Sequence, residues 1–488
     1  QTRLAQNKSL PKSDRSMLNG TYVVKDNPTT IKDAKNAIRL DPQGAELRAL
    51  NPQNAIDVHI NAELFNKYIS SGNHEKAMTF INNANETNLG QMVQILSQYD
   101  KTTPQGAVRF AQKTIDKYNK ANPNNPLNLT NEMINNLIHK ASSIQGMREG
   151  RARNMASQQL IDEVNALIPS TITDKLITVW KAGLLTSPRT TMRNILGNTA
   201  HAGAEISKDV IASPIDRLLG IRTGKRSTTA TLKGLYSGTK KGLGSAKDIM
   251  QTGYDPENSI GKFDIKKITW GNNAIEQNLK RYTDFVFNSL GAQDKPFYHA
   301  SFARSLYDQA GAEAINAGRR GDRQFIENLV KNPTLRMKET AIKEAELATF
   351  KNKNVANEVA GKIKGSLSKY KLGAVGEIVA PFTGVPSSIA GQMIAYSPIG
   401  LTKGLYSGGK VLIKNVPELQ RQASQEIARG VVGSGIMGIA AYLTQQGLMT
   451  GQPRDDAERR QWELEGKQAN SVFVGGKWRS INSVGPEA

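Results

Sequence analysis

The 488-residue chain contains no cysteine, which excludes disulfides, cysteine-ligated zinc and thiol catalysis together. Histidine is nearly as scarce. His59, His74, His139, His201 and His299 lie far apart, and only His201 has a carboxylate one helical turn away, at Glu205. Two candidate ligands make no metal site, and the spacing reads as a solvated helix pair. No phosphate-binding loop, serine-hydrolase elbow or zincin motif occurs. Acid pairs such as Glu344/Glu346 and Asp455/Asp456 read as solvated helix faces, not as a dyad. The expectation is no catalytic residue, no metal and no cofactor. Acids are the other shortage, with 43 Asp and Glu against 64 Lys and Arg, a net charge of +21. That balance favours contact with polyanions, either nucleic acid or an anionic membrane surface; the plainer alternative is a charge that only solubilises.

Long unbroken apolar runs are missing too. Residues 378–402 and 430–453 carry no charge, yet Pro381, Pro386, Pro398 and several glutamines interrupt them, so hydropathy alone assigns neither a bilayer span. Both place a small residue at every fourth position, Ser387/Gly391/Ala395 and Gly430/Ser434/Gly438, a spacing that lets helix backbones approach closely in a membrane or in a tight soluble bundle. Cations flank them, Lys369, Lys371, Lys403 and Lys410 around the first and Arg429 and Arg454 around the second. The first residue is Gln and QTRLAQNKSL has no apolar core of signal-peptide length, which reads as a processed product or part of something longer.

What is present is helix. TIKDAKNAIRL, INAELFNKYISS, HEKAMTFINNA, LGQMVQILSQYD, PQGAVRFAQKTIDKYNKA and LTNEMINNLIHKASSI space apolar residues three and four apart, predicting a polar all-α domain over 1–169. Ser170-Thr171 with Asp174 predicts a capping box opening a helix whose Leu176, Trp180 and Leu184 share a face. Ser187-Pro188 then opens another, with Met192, Ile195, Thr199, Ala202, Ile206 and Val210 as its apolar and small seam. The remaining expected units are 170–260 (small-residue helix and basic segment), 261–368 (amphipathic helices with mostly buried aromatics), 369–453 (charge-free helices) and 454–488 (a helix and a β-hairpin turning at Gly475-Gly476). The fold class expected is mostly α, an elongated multi-helix assembly with that small hairpin.

One hexapeptide, KGLYSG, occurs twice, at 233–238 and 403–408, each time downstream of Ser-Pro-Ile. Its offset from that triplet differs, so it is a weak duplication and no solenoid. The first copy lies in a basic tract: residues 181–250 hold twelve Lys and Arg against four acids. The expected phosphate or lipid-headgroup contacts are Arg189, Arg193, Arg222, Lys225, Arg226, Lys233, Lys240, Lys241, Lys403 and Lys410, with Tyr236 and Tyr406 at the interface level. A solvated loop is the alternative.

Three segments carry a resemblance. WKAGLLTSPRTTMRNILGN, with Leu185, Ser187, Pro188, Arg189, Thr190, Arg193, Asn194, Ile195 and Asn198 at the matching positions, resembles a segment of large tailed-bacteriophage proteins, the internal virion or ejection proteins and the polyvalent virion proteins. APFTGVPSSIAGQMIAYSPIGLTKG resembles a second, matched at Pro381, Phe382, Pro386, Tyr396, Ser397, Pro398 and Gly400. LMTGQPRDDAERRQWELEGKQANSVFVGGKW is similar to the segment that follows it. The resemblance covers about 170–488 and implies a structural protein housed in the virion interior and delivered to the host envelope on ejection. Its implied partners are itself as a homo-oligomer, the portal or fellow ejection proteins, DNA and the host membrane, and it brings no catalytic residue. Two rivals stay open: a DNA-organising or scaffold-like virion protein, and the non-catalytic part of a giant virion enzyme.

Overall fold

The computed structural model describes residues 28–50, 55–83, 101–255, 268–351, 384–416 and 419–481. Among these are seventeen helices and one small sheet, the mostly α architecture expected. The first seven helices are α1 (Pro28–Leu40), α2 (Pro42–Leu50), α3 (Ala55–Ser70), α4 (His74–Asn83), α5 (Pro104–Ala121), α6 (Asn131–Gly146) and α7 (Arg151–Ala166). Their starts follow ordinary capping chemistry. The Thr103 hydroxyl accepts from the Gly106 amide at 3.1 Å with Pro104 as the first helical residue, and Thr130 accepts from Met133 at 3.3 Å. Their apolar faces meet in two clusters, Ala34, Ala45, Ile60, Leu64 and Phe80 in one, and Phe65, Val108, Ile134, Leu137 and Leu160 in the other. Buried Asn61 ties α2 and α4 together by donating to the Ala49 and Phe80 carbonyls at 2.9 and 2.8 Å. The helix expected over LGQMVQILSQYD lies outside the described residues, as do Lys369, Lys371, Pro381 and Phe382.

Beyond α7 follow α8 (Ile172–Leu185), α9 (Pro188–Thr223), α10 (Leu235–Thr252), α11 (Ala274–Asn316), α12 (Arg323–Lys331), α13 (Leu335–Ala348), α14 (Gly384–Ala395), α15 (Pro398–Lys414) and α16 (Gln420–Gln445). The Thr171/Asp174 capping box on α8 is present in both directions. The apolar faces expected of α8 and α9, however, point the wrong way for a core. Leu176, Trp180 and Leu184 are exposed, and so are Met192, Ile195 and Val210, the last at 63%. The inward stripe of α9 is polar instead, formed by Asn198, His201, Glu205, Lys208, Asp209 and Asp216 with Ala212 and Leu219. Both stripes obey the helical period. Only the neighbours decide which one is buried.

α10 and α11 form one antiparallel pair, and α15 and α16 another. In both, glycines of the KGLYSG copy let the helices touch backbone to backbone. A Cβ on Gly238 would lie 2.3 Å from the His299 carbonyl oxygen, and one on Gly242 would lie 2.4 Å from that of Lys295. In the second pair a Cβ on Gly404 would meet the Ile427 amide at 2.5 Å, and one on Gly430 the Leu401 Cα at 2.4 Å. The Ser-Pro-Ile contexts are not equivalent. Pro214 sits inside α9, whereas Ser397 caps α15 and Pro398 is its first residue.

After α16 come β1 (Met449–Thr450), α17 (Asp456–Leu464), β2 (Ser471–Val474) and β3 (Lys477–Ser480). The expected hairpin is β2–β3, with Val474 opposite Lys477 and positive φ at Gly475 (62°) and Gly476 (75°). β1 adds a third antiparallel strand, Met449 opposite Val472, so the hairpin is anchored to the end of α16.

Candidate functional site

The inward polar stripe of α9 faces charged positions on α11, α13 and α16, and the result is a buried lattice of ion pairs. Glu205 receives Arg429 in bidentate fashion, Nε to Oε1 at 2.8 Å and a terminal nitrogen to Oε2 at 3.2 Å. The Tyr396 hydroxyl donates to the same Oε1 at 2.8 Å, and Lys208 Nζ stands 3.1 Å from Oε2. Lys208 also pairs with Asp209 at 2.6 Å, and Asp209 with Arg304 of α11. Arg421 joins two further acids, Asp308 of α11 at 2.8 Å and Glu344 of α13 at 2.9 Å, and Gln425 donates to Glu344 at 2.7 Å. Asp216 closes the C-terminal end of α9, accepting from Arg226 at 2.8 Å and Gln420 at 2.8 Å. Five carboxylates thus meet five cations and the lattice is neutral.

Burial alone would raise these carboxylates; their partners decide the outcome. At Glu205 burial works upward, but Arg429, Lys208 and the hydrogen bonds from Arg429 hold the group well below the usual carboxylate range. At Glu344 burial is likewise outweighed, by Arg421 first, and the group is held down at about 2. Asp209 goes the other way, raised because burial dominates and Asp308 and Glu344 add repulsion. The signs follow. The stabilisation from Glu205 and Glu344 is complete above their unfolded values near 4.5 and is lost as the pH falls towards 2, whereas the charged form of Asp209 costs stability at neutral pH, a cost relieved by acid. Helical content is therefore expected to persist to about pH 4 and to fall between about pH 4 and 2, as circular dichroism can follow; loss of helix already at about pH 6 would contradict the assignment.

His201 and Glu205 are thus a wholly buried pair, not a solvated one, and Glu344 is a lattice member, not part of a solvated face. The signal for this was in the sequence as a polar stripe at three- and four-residue spacing, but it became readable only with its partners opposite.

The positions expected to touch polyanions divide. Arg222, Lys225, Lys233, Lys240 and Lys241 are exposed, as is Arg193, while Arg189 lies in the first turn of α9. Arg226 is engaged within the chain: besides Asp216 it donates to the Ser213 carbonyl at 3.1 Å and the Thr228 carbonyl at 3.0 Å, which commits its guanidinium to the fold and not to a phosphate. Lys403 pairs with Glu426 at 3.1 Å yet stays 69% exposed, and Lys410 lies over the Tyr406 ring at 4.3 Å. Tyr236 and Tyr406 are exposed at 82% and 67%. Among the expected packing positions, Gly430 is in the α15–α16 seam, but its neighbour there is Gly433, against the Tyr396 carbonyl, and not Ser434. A Cβ on Gly438 would have nothing within 4 Å of it, and Gly391 and Ala395 are half-buried on α14. Ser387 is also half-buried.

Around the lattice the outer surface is unusually apolar. Besides the α8 and α9 faces it includes Phe285, Met393, Ile394, Ile399, Ile413, Met437, Ile439 and Tyr442. α16 is 26 residues long with a mean hydropathy of 1.3 in its most apolar window, enough by length and composition to cross a membrane, and 28% of that window is buried. No group of three metal-ligating acids or histidines is found among the described residues. A cavity of about 400 Å³ opens between α7, α10 and α11, lined by Trp270, Asn165, Asp162, Lys280 and Asp284, where Lys280 pairs with Asp284 at 2.5 Å. Compared with family models, curated proteins and solved structures, the chain matches none.

Proposed function

We propose that this chain is a structural, non-catalytic protein of a tailed-phage virion, carried inside the particle and ejected to help conduct the genome across the host envelope. The single observation that supports this reading is that α9 turns its ionic stripe inward while α8, α9, α15 and α16 leave apolar side chains on the outside, beside the smaller apolar clusters the bundle does bury. A monomer in water gains nothing from exposing Met192, Val210, Ile413, Met437 and Ile439. A protein that first packs against copies of itself and later meets a bilayer uses such faces in both settings, and its interior charges then sit where membrane-associated bundles keep theirs. The resemblance of three ordered segments to ejection and polyvalent proteins points the same way. The exposed lysines of the 222–247 tract also serve a DNA-organising role, which is the second reading.

A mass-spectrometric map of purified virions before and after genome release tests it. The chain is expected in filled particles and missing from emptied ones. Retention in emptied particles favours the DNA-organising reading, and absence from both removes the virion assignment. Self-assembly has its own check. Because a side chain at Gly438 meets open space within the protomer, Gly438→Leu is expected to leave helix content intact and to lower the oligomer mass measured by light scattering. Unchanged mass takes this part of α16 out of the interface.

A further inference from the structure

The duplication is longer than its hexapeptide and it has two faces. Aligned on KGLYSG, Lys240 corresponds to Lys410 and Leu243 to Ile413. On α10 and α15 alike the glycines of the repeat, Gly234 and Gly238 or Gly404 and Gly408, turn towards the following helix. The other side of each helix is displayed. On α10 it reads Tyr236, Lys240, Leu243, Lys247, Met250, at spacings of four and three, with Tyr236 82% and Leu243 58% exposed. On α15 it reads Ile399, Lys403, Tyr406, Lys410, Ile413, with Ile399 68% and Ile413 80% exposed. Such spacing keeps all five side chains within one narrow stripe. Acids are few: α15 has none, α10 only Asp248, and from the neighbouring α16 Glu426 stands 3.1 Å from Lys403, which stays 69% exposed.

We propose that these two stripes are headgroup-docking faces for an anionic phospholipid surface. Lysines at every turn supply the attraction to the headgroups. Tyrosine suits the interfacial level, where its ring is half in and its hydroxyl out. The interleaved Leu243, Met250, Ile399 and Ile413 are what separate a bilayer from a nucleic acid, because a phosphate backbone offers aliphatic side chains nothing, while the acyl boundary receives them. The glycine seams explain the pairing of features: by bringing each helix onto its neighbour through one side, they leave the whole opposite side for the partner. This deepens the proposed function by naming the chemistry of one partner, and its outcome is separable, since virion content is read from particles and lipid docking from the isolated protein.

The test is co-sedimentation of the full chain with vesicles of phosphatidylglycerol and phosphatidylcholine, with pure phosphatidylcholine vesicles and a short DNA duplex as the other arms. Binding is expected to the anionic vesicles alone or more tightly than to either control. Lys240→Gln with Lys410→Gln should weaken it about twenty-five-fold, since each lysine near such a surface is worth about fivefold. Tyr236→Ser with Tyr406→Ser should weaken vesicle binding several-fold and leave any duplex binding unchanged. Tyr236, Lys240 and Tyr406 are exposed and Lys410 is half-buried with its ammonium over the Tyr406 ring, so circular dichroism should report an unaltered fold. No sedimentation with anionic vesicles at low salt, equal binding to neutral vesicles, or anionic binding indifferent to both variant pairs overturns the proposal; duplex binding without vesicle binding assigns the stripes to nucleic acid instead.

Discussion

Replacing Glu205 by Gln is expected to destabilise the α9–α16 contact by about 3–5 kcal/mol, the usual result of removing one partner from a buried pair. The reason is not that the pair is strongly favourable in itself. Taking Glu205, Lys208 and Arg429 out of water is costly, and their mutual attraction roughly offsets that cost. Once the carboxylate is gone, Arg429 is left buried at 7% exposure facing a neutral amide, and the desolvation stands uncompensated. Arg429→Met should cost a similar amount by leaving Glu205 beside only Lys208 and the Tyr396 hydroxyl. The double variant Glu205→Gln with Arg429→Met should recover much of the loss, because it removes both charges. Thermal unfolding and protease resistance of the four proteins complete the cycle. Near-additive losses would show that the two side chains do not act as a pair. Each bidentate contact also has one geometry, so the lattice ties α16 to α9 in a single register, which apolar contacts along helices of Gly, Ala and Ile would not do.

Gly238→Leu and Gly404→Leu should be as damaging, by a different route. At both positions the added carbon falls on main-chain atoms, the His299 carbonyl oxygen at 2.3 Å and the Ile427 amide at 2.5 Å. A backbone cannot swing aside as a flexible side chain can, so the two helices must separate along their whole seam. The expected cost is about 3 kcal/mol or more, at and beyond the upper end for overpacked cores. Gly244→Leu, on the same helix as Gly238 but with open space around it, is the control expected to keep the melting temperature. Equal melting temperatures for Gly238→Leu and the unaltered protein would mean that the α10–α11 seam is not closed as described.

Much of this molecule could be read before folding was considered. The capping box at Thr171 and Asp174, the Ser187-Pro188 helix start, and the Gly475-Gly476 hairpin are local events, decided within a few residues by hydrogen bonds and by the φ each residue tolerates. The helical content follows from three- and four-residue spacing in the same local way. What could not be read is which side of a helix is inside. α9 carries two stripes of equal regularity, one through Met192, Ile195, Thr199 and Val210 and the other through His201, Glu205, Lys208 and Asp216. The habit of burying the apolar one is a rule about partners, and α9 meets Arg304, Gln420 and Arg429, which lie roughly one to two hundred residues further along. Glu205 and Glu344 therefore looked solvated when taken alone and proved to be interior. The repeated KGLYSG was visible as letters, but only the seams with α11 and α16 show that its glycines face inward and its lysines and tyrosine outward. Local sequence determined where helices begin, end and turn; long-range pairing of charges and the close approach of glycine backbones decided which faces the protein keeps for itself and which it presents.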